Sequence, residues 1–276
     1  MKKIILIGIT LIIANLGLSQ LDDNVNNVKN FRFGLKGDLN LGWLKPENEK
    51  KFKSNGVGFG YGWGAQIEYR LNKTASIVSG FSIQTTKGKI SYSTGSAEDS
   101  VVYILDKDES FVSVDSLGTI GQSLLPGNSN KAYFLQSRKF KFNYVNIPVI
   151  LKMKTKEIGY FTYYGQFGLN LGIRTKAKVS DESISVSDGA KGSPENLNFD
   201  NQSYPIRTGL IVGGGAEYTI SGTTAIFFDL TYNYTFNSTV KKNTSYLRKI
   251  DDGALLEKYD QKFLPGNVAL TVGILF

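Results

Sequence analysis

The chain has 276 residues, a formal net charge of +8 at pH 7, and neither cysteine nor histidine. Disulfides, thiolate nucleophiles, imidazole bases and the usual zinc sites are therefore excluded. The excess of Lys and Arg is scattered along alternating segments and forms no basic helix, which argues against nucleic acid as a partner. We expect no enzymatic activity, no cofactor and no metal site; an active site built only from carboxylates, Lys, Ser or Tyr is the alternative.

The amino terminus has the pattern of an export signal. Met1–Lys3 is basic and Ile4–Ile13 is apolar, and this apolar run is shorter than the ~20 residues of a membrane-spanning helix. An uncleaved anchor is the less favoured alternative. We predict a cleaved signal peptide over residues 1–19, a short periplasmic segment over 20–30 and a barrel over 31–276.

The rest of the chain contains segments in which apolar and polar residues alternate with period two, as in β-strands that have two different faces. The clearest segment begins at Phe31, and it places Phe33 and Leu35 on one face and Arg32 and Lys36 on the other. The eight segments are 31–43, 57–70, 74–92, 138–154, 158–178, 204–219, 226–236 and 268–276. The linkers between them alternate, giving three short turns and four long loops.

The fourth segment is irregular, because its apolar residues change parity. The aromatic residues from Phe140 to Tyr144 have even numbers, whereas the apolar residues from Val145 to Met153 have odd numbers. Proline cannot donate a hydrogen bond to a sheet, so Pro148 favours a β-bulge near Asn146–Pro148.

The last segment decides between two kinds of barrel. From Val268 to Phe276 every second residue is apolar or aromatic, with small or polar residues between them. A lipocalin-type barrel has an apolar interior and a polar exterior, whereas here charges and glycines share one face and the larger apolar residues share the other. The sequence predicts an all-β fold, an eight-stranded antiparallel up-and-down transmembrane β-barrel with long extracellular loops and short periplasmic turns, in the cell outer membrane.

Aromatic residues near the strand ends should form two girdles at the membrane surfaces. Those expected at the outer girdle are Trp43, Tyr144 and Tyr234. Those expected at the inner girdle are Phe33, Tyr69, Tyr160, Tyr218 and Phe276.

Three stretches carry a resemblance to a known family. Tyr144–Lys152 resembles a Tyr-Leu-x-Ile-Pro-Leu-x-Leu-Lys stretch, Phe33–Asn40 resembles an opening Gly-x-Lys-x-Gly-x-Asn strand, and Gly209–Tyr218 also fits. All three are similar to the PorT-like outer-membrane β-barrel family of Bacteroidetes, which has the eight-stranded architecture of OmpX- and OmpA-like barrels. The resemblance implies a barrel with no assigned biochemical role, or one accessory to a secretion or uptake assembly.

Charged residues of both signs should point into the barrel, where little water is available and charges must be paired or hydrogen-bonded. They are Arg32, Lys36, Asp38, Glu68, Arg70, Arg207, Glu217 and Asp229. Because eight strands leave an interior just wide enough for side chains, we predict a plugged barrel that acts as a scaffold or binding surface. A narrow pore for ions or very small solutes is the alternative.

The longest loop contains two β-prone runs on either side of the polar turn Asp106–Glu109, which predicts a hairpin above the membrane. Its apolar residues should pack on another loop, cap the barrel mouth or bind an envelope protein. The candidate partner surface is Val101, Val102, Tyr103, Ile104, Leu105, Phe111 and Val112. Outer-membrane lipid and the barrel assembly machinery, acting on the strand that ends at Phe276, are the other expected partners.

Overall fold

The computed structural model describes residues 30–47, 52–92, 101–113, 130–251 and 255–276. Residues 31–276 belong to one compact unit. The predicted signal peptide over 1–19 lies outside the described residues. Within the described ranges, no helix has the length and apolar character needed to cross a membrane.

The described residues form thirteen strands and one short 3₁₀ turn, Asp200–Gln202. The strands are β1 (Phe31–Pro46), β2 (Phe52–Arg70), β3 (Ala75–Tyr92), β4 (Val101–Leu105), β5 (Lys131–Lys154), β6 (Phe161–Ser185), β7 (Lys191–Gly192), β8 (Leu197–Asn198), β9 (Ile206–Ser221), β10 (Thr224–Thr235), β11 (Asn243–Asp251), β12 (Leu255–Asp260) and β13 (Phe263–Leu275).

Eight of these strands close into a barrel in the order β1-β2-β3-β5-β6-β9-β10-β13. Every neighbouring pair is antiparallel, and β13 returns to pair with β1, so that Leu39 lies opposite Leu270. The connections 71–74, 155–160 and 222–223 are short and share one end. The predicted eight-stranded up-and-down barrel is therefore confirmed.

The strands are longer than a membrane requires. A tilted strand of ~9–11 residues spans a bilayer, whereas β5 has 24 residues and β6 has 25. Further strands lie at the end of the barrel away from the short turns. There β4, β11 and β12 extend the sheet from β5, and β7 and β8 pair with β6. We call these strands, with the adjoining ends of the barrel strands, the extracellular part.

The barrel wall has two zones of opposite polarity. In the zone nearer the short turns, apolar side chains such as Leu169 (60% exposed) and Leu230 (58% exposed) point outward, and the interior is polar. In the extracellular part the interior holds an apolar cluster that includes Phe140 and Phe142, and lysines point outward. The outward apolar zone, called the belt below, is the surface that lipid covers.

The bulge predicted near Asn146–Pro148 is wrong. Even-numbered residues of β5 point inward from Arg138 to Lys152 without a break, and one register joins β3 to β5 from Ala75 to Ser91. The apolar residues change parity because the surroundings change. In the extracellular part the apolar environment is the barrel interior, so apolar side chains point inward. In the belt the apolar environment is lipid, so they point outward.

A register shift does occur in the neighbouring strand. Asn143 of β5 lies opposite Lys176 of β6, whereas Tyr144 lies opposite Arg174, so Thr175 is the extra residue. Such a bulge exchanges the two faces of the strand. Residues of β6 beyond it therefore point inward at odd numbers, beginning with Ala177.

The outer girdle differs from the prediction at one residue. Tyr144 is 1% exposed and points into the barrel, because it continues the inward parity of β5. Trp43 stacks on Tyr232 with ring centroids 6.0 Å apart, and Tyr234 is exposed on the outer wall. The aromatic residues predicted for the inner girdle are all exposed.

Candidate functional site

The most concentrated set of charges lies inside the barrel near the short turns. Arg32 donates hydrogen bonds of 2.8 Å to both Glu68 and Glu217. Lys152 Nζ lies 2.5 Å from Glu217 Oε1 and 3.5 Å from Glu68 Oε2, and Lys154 Nζ lies 2.5 Å from Glu68 Oε1 and 2.9 Å from Glu217 Oε1. All five side chains are at most 7% exposed. We call them the lumen network.

The strands explain why these charges meet. Arg32 and Glu68 lie directly opposite each other on β1 and β2, and Lys152, Lys154 and Glu217 occupy inward positions of β5 and β9. Each cation is within ion-pair distance of both carboxylates. Two carboxylates are therefore held together by three cations, and water is largely excluded from them.

A second polar layer lies above the lumen network. The Tyr164 hydroxyl donates to Asp229, and Asp38 accepts a 3.0 Å hydrogen bond from Gln84. Lys36, Asp38 and Asp229 line a cavity of about 60 Å³, which is large enough to hold water. The two layers together carry four cations and four anions, so their charges balance without an external ion.

Two arginines lie higher in the lumen. Arg207 donates a 3.0 Å hydrogen bond to Asn146, and its guanidinium lies 4.0 Å from the centre of the Tyr144 ring. Arg174 donates to the Asp200 side chain and to the Asp200 carbonyl at 3.0 Å. These contacts tie the 3₁₀ turn to the barrel wall.

The structure brings most of the predicted lumen residues together, but in separate groups. Arg32, Glu68 and Glu217 belong to the lumen network, Lys36, Asp38 and Asp229 line the cavity, and Arg207 lies above them. Arg70 is half-buried at the short-turn end of β2, apart from the network.

Sequence reasoning did not include Lys152 and Lys154 among the lumen residues. The sequence does contain a signal for these two lysines. They have the same parity and alternate with the apolar residues Leu151 and Met153, which indicates the face opposite to lipid. Alternation places Tyr164 on the polar face of its segment, but it does not reveal the hydrogen bond to Asp229.

The extracellular part closes the barrel above the lumen. Phe140 and Phe142 stack with centroids 5.8 Å apart, and Phe140 contacts Phe199 and Phe263 edge to face at 5.5 and 5.8 Å. The same buried cluster includes Leu44 and residues of β3, β4, β6 and β11. Side chains from several barrel strands thus fill the mouth.

An ion pair is buried inside this apolar cluster. Arg138 donates two 2.6 Å hydrogen bonds to Asp181, and both side chains have 0% exposure. The guanidinium lies 5.1–5.5 Å from the ring centres of Tyr103, Phe111 and Phe199. Burial by itself lowers the pKa of Arg138, but the Asp181 carboxylate outweighs burial and holds this pKa above its usual value.

The predicted partner surface is not accessible. β4, which contains Val101, Val102, Tyr103, Ile104 and Leu105, pairs with β5 and β11, and all five side chains are at most 3% exposed. Phe111 and Val112 are half-buried against them. The apolar hairpin packs within the chain, so these side chains offer no surface to another protein.

The family follows from a sequence comparison. A family model described as "Outer membrane protein beta-barrel domain" matches residues 18–241. The chain belongs to this family. No curated protein matches the chain significantly. As a member of the outer membrane β-barrel family, the protein is located in the outer membrane, and its apolar belt is the lipid-facing surface.

Solved structures of other outer-membrane barrels are similar at low identity. OprG from Pseudomonas aeruginosa is 10% identical, with a TM-score of 0.41 over 90% of this chain and 96% of that one. Neisserial surface protein A is 12% identical, with a TM-score of 0.38 over 88% and 97%. Ail from Yersinia pestis is 14% identical, with a TM-score of 0.33 over 89% and 98%.

The charged groups inside the barrel are engaged mainly with one another. Among the described residues, no group of three or more Asp, Glu, His or Cys side chains could hold a metal ion. The two carboxylates of the lumen network already pair with Arg32, Lys152 and Lys154. The accessible features are the outer wall and the exposed turns of the extracellular part.

Proposed function

We propose that this protein is a closed, non-enzymatic barrel that holds a rigid extracellular part as a binding surface for another envelope protein. One observation carries the proposal. The sheet β12-β11-β4-β5 extends from the barrel wall, and its residues share the apolar cluster that fills the mouth. A loop region with its own core presents a fixed surface, which lowers the entropic cost of binding.

The exposed surface lies at the turns of the extracellular part. Lys107–Ser110, between β4 and Phe111, is exposed, and so is Ser187–Lys191 beyond β6. Asp106 accepts hydrogen bonds from the backbone amides of Asp108 and Ser110 at 2.9 and 2.8 Å, which fixes the first turn. These two turns replace the buried hairpin as our candidate partner surface.

A narrow pore for ions or very small solutes fits the geometry less well. A path through the lumen would have to cross the lumen network, the 60 Å³ cavity and the aromatic cluster around Phe140. Catalysis also lacks support, since the chain has no histidine or cysteine. The resemblance to PorT-like barrels of Bacteroidetes favours an accessory role beside a secretion or uptake assembly.

Site-specific photo-crosslinking in native outer membranes tests this function. A photoreactive residue at Lys107 or Asp188 should give a crosslinked product of discrete mass, because both positions lie at exposed turns. The same residue at Lys73, exposed in the turn between β2 and β3, is the matched control on the other side of the membrane. No product from either extracellular position, or the same product from Lys73, would refute the binding role.

A further inference from the structure

Six lysines project from the outer wall immediately above the lipid-facing belt. Lys87, Lys141 and Lys178 lie directly opposite one another on β3, β5 and β6 and form one row. The remaining three, Lys89, Lys139 and Lys176, flank this row, with Lys89 opposite Lys139. The bulge at Thr175 places Lys176 and Lys178 on this outer face.

Like charges opposite each other destabilise a sheet, and the protein compensates them only in part. Glu182 lies 3.0 Å from Lys89 and 3.5 Å from Lys139. Hydrogen bonds from Ser137 and Lys89 lower the pKa of Glu182 to about 2, so this carboxylate stays ionised. Within the described ranges, the row Lys87–Lys141–Lys178 has no carboxylate at ion-pair distance.

The height of the row indicates what neutralises it. On β3, β5 and β6 the outward apolar residues end at Ile83, Val145 and Ile173, which pair in register. On these strands the row lies about four residues further, or ~13 Å along strands that rise ~3.3 Å per residue. On strands tilted by ~45° this is ~9 Å above the hydrocarbon, and the headgroup layer is ~5–8 Å thick. Flexible lysine side chains reach down into that layer.

The row also borders a groove. A surface cavity of about 420 Å³ is lined by Lys87, Lys89, Lys139, Lys141 and Lys178, together with Asn55, Asn196 and one acidic residue, Glu195. The cavity is larger than a single phosphate needs, and its five lysines outnumber its one acidic residue, which suits a phosphorylated sugar headgroup. Charge, height and size therefore favour the same class of ligand.

We propose that the row Lys87–Lys141–Lys178 and its groove bind the phosphate groups of an anionic glycolipid in the outer leaflet. The ammonium groups pair with phosphate oxygens, while the acyl chains lie against the belt below. Glu182 competes for Lys89 and Lys139. This lipid site is independent of the partner surface at the exposed turns, and either proposal can fail without the other.

The test uses the full chain in detergent micelles, titrated with bis-phosphorylated lipid A or with the same lipid after enzymatic removal of its phosphates. Native mass spectrometry measures the bound fraction. We expect tighter binding of the phosphorylated lipid. A lysine near an anionic surface contributes about fivefold in affinity, so the triple variant Lys87→Gln/Lys141→Gln/Lys178→Gln should lose on the order of 100-fold. Glu182→Gln should tighten binding several-fold.

Matched controls keep the outcome clear. Lys73→Gln/Lys156→Gln/Lys241→Gln removes the same charge from exposed positions elsewhere and should bind like the wild type. The row variant should fold normally, as seen by heat-dependent mobility on gels, because it removes like-charge repulsion. Equal binding of both lipids, equal losses in the two triple variants, full competition by millimolar inorganic phosphate, or preference for an acidic peptide over the lipid would each overturn the proposal.

Discussion

Replacement of Glu217 by Gln is expected to lower the free energy of unfolding by ~3–5 kcal/mol, the usual effect of breaking a buried ion pair. Glu217 is contacted by Arg32, Lys152 and Lys154. Without its charge, three buried cations share only Glu68. Urea titration of the protein in lipid vesicles, followed by tryptophan fluorescence, measures the change.

A second variant separates loss of charge balance from a general disturbance of packing. Glu217→Gln/Lys154→Met removes one anion and one cation, so it should recover at least half of the lost free energy. Arg70→Gln is the matched control, because Arg70 points to the same side but lies outside the network; we expect it to change stability by less than about 1 kcal/mol. A Glu217→Gln protein as stable as the wild type would show that the network is not paired as described.

Replacement of Asp181 by Asn should open the extracellular part while the membrane barrel stays folded. Arg138 would keep its charge inside an aromatic cage with no anion, at a cost of ~3–5 kcal/mol, because its partner is fully buried. We expect rapid proteolysis of the extracellular part in whole vesicles. The heat-dependent gel mobility that reports the closed barrel should remain.

Two controls test the cause of this loss. Arg138→Met/Asp181→Leu replaces the pair with apolar side chains of similar volume and should restore much of the protease resistance. Glu182→Gln alters the adjacent residue, whose side chain is 49% exposed, and should have little effect because exposed ion pairs contribute little. If Asp181→Asn resists protease like the wild type, the buried pair does not hold the extracellular part together.

The barrel and most of the residues in its lumen can be predicted from the sequence, because alternation shows which residues share a face. Arg32, Glu68 and Glu217 were predicted to point inward from their parity, and they meet in the lumen network. Parity alone does not give the height of a residue along a strand. The grouping into a network, a cavity and an upper arginine therefore required the register between strands.

The extracellular part was harder to predict for a physical reason. Alternation predicts that an apolar residue on a strand faces lipid, but Phe140, Phe142 and Tyr144 lie above the belt and fill the interior. Burial of β4 depends on pairs that are distant in sequence, such as Val102 with Phe134 and Arg248. No local pattern reports such contacts, so a buried hairpin resembled an exposed apolar surface.

Closure of the barrel is the central claim, and single-channel recording in planar bilayers tests it most directly. Because the lumen network, the small cavity and the aromatic cluster follow one another along the only axis through the barrel, we predict no unitary conductance steps at either polarity. Heat-dependent gel mobility of the same protein reconstituted in vesicles of the same lipid verifies that the barrel has folded and inserted. Stable conductance steps of the wild-type protein in 1 M KCl would contradict the closed barrel and favour the pore.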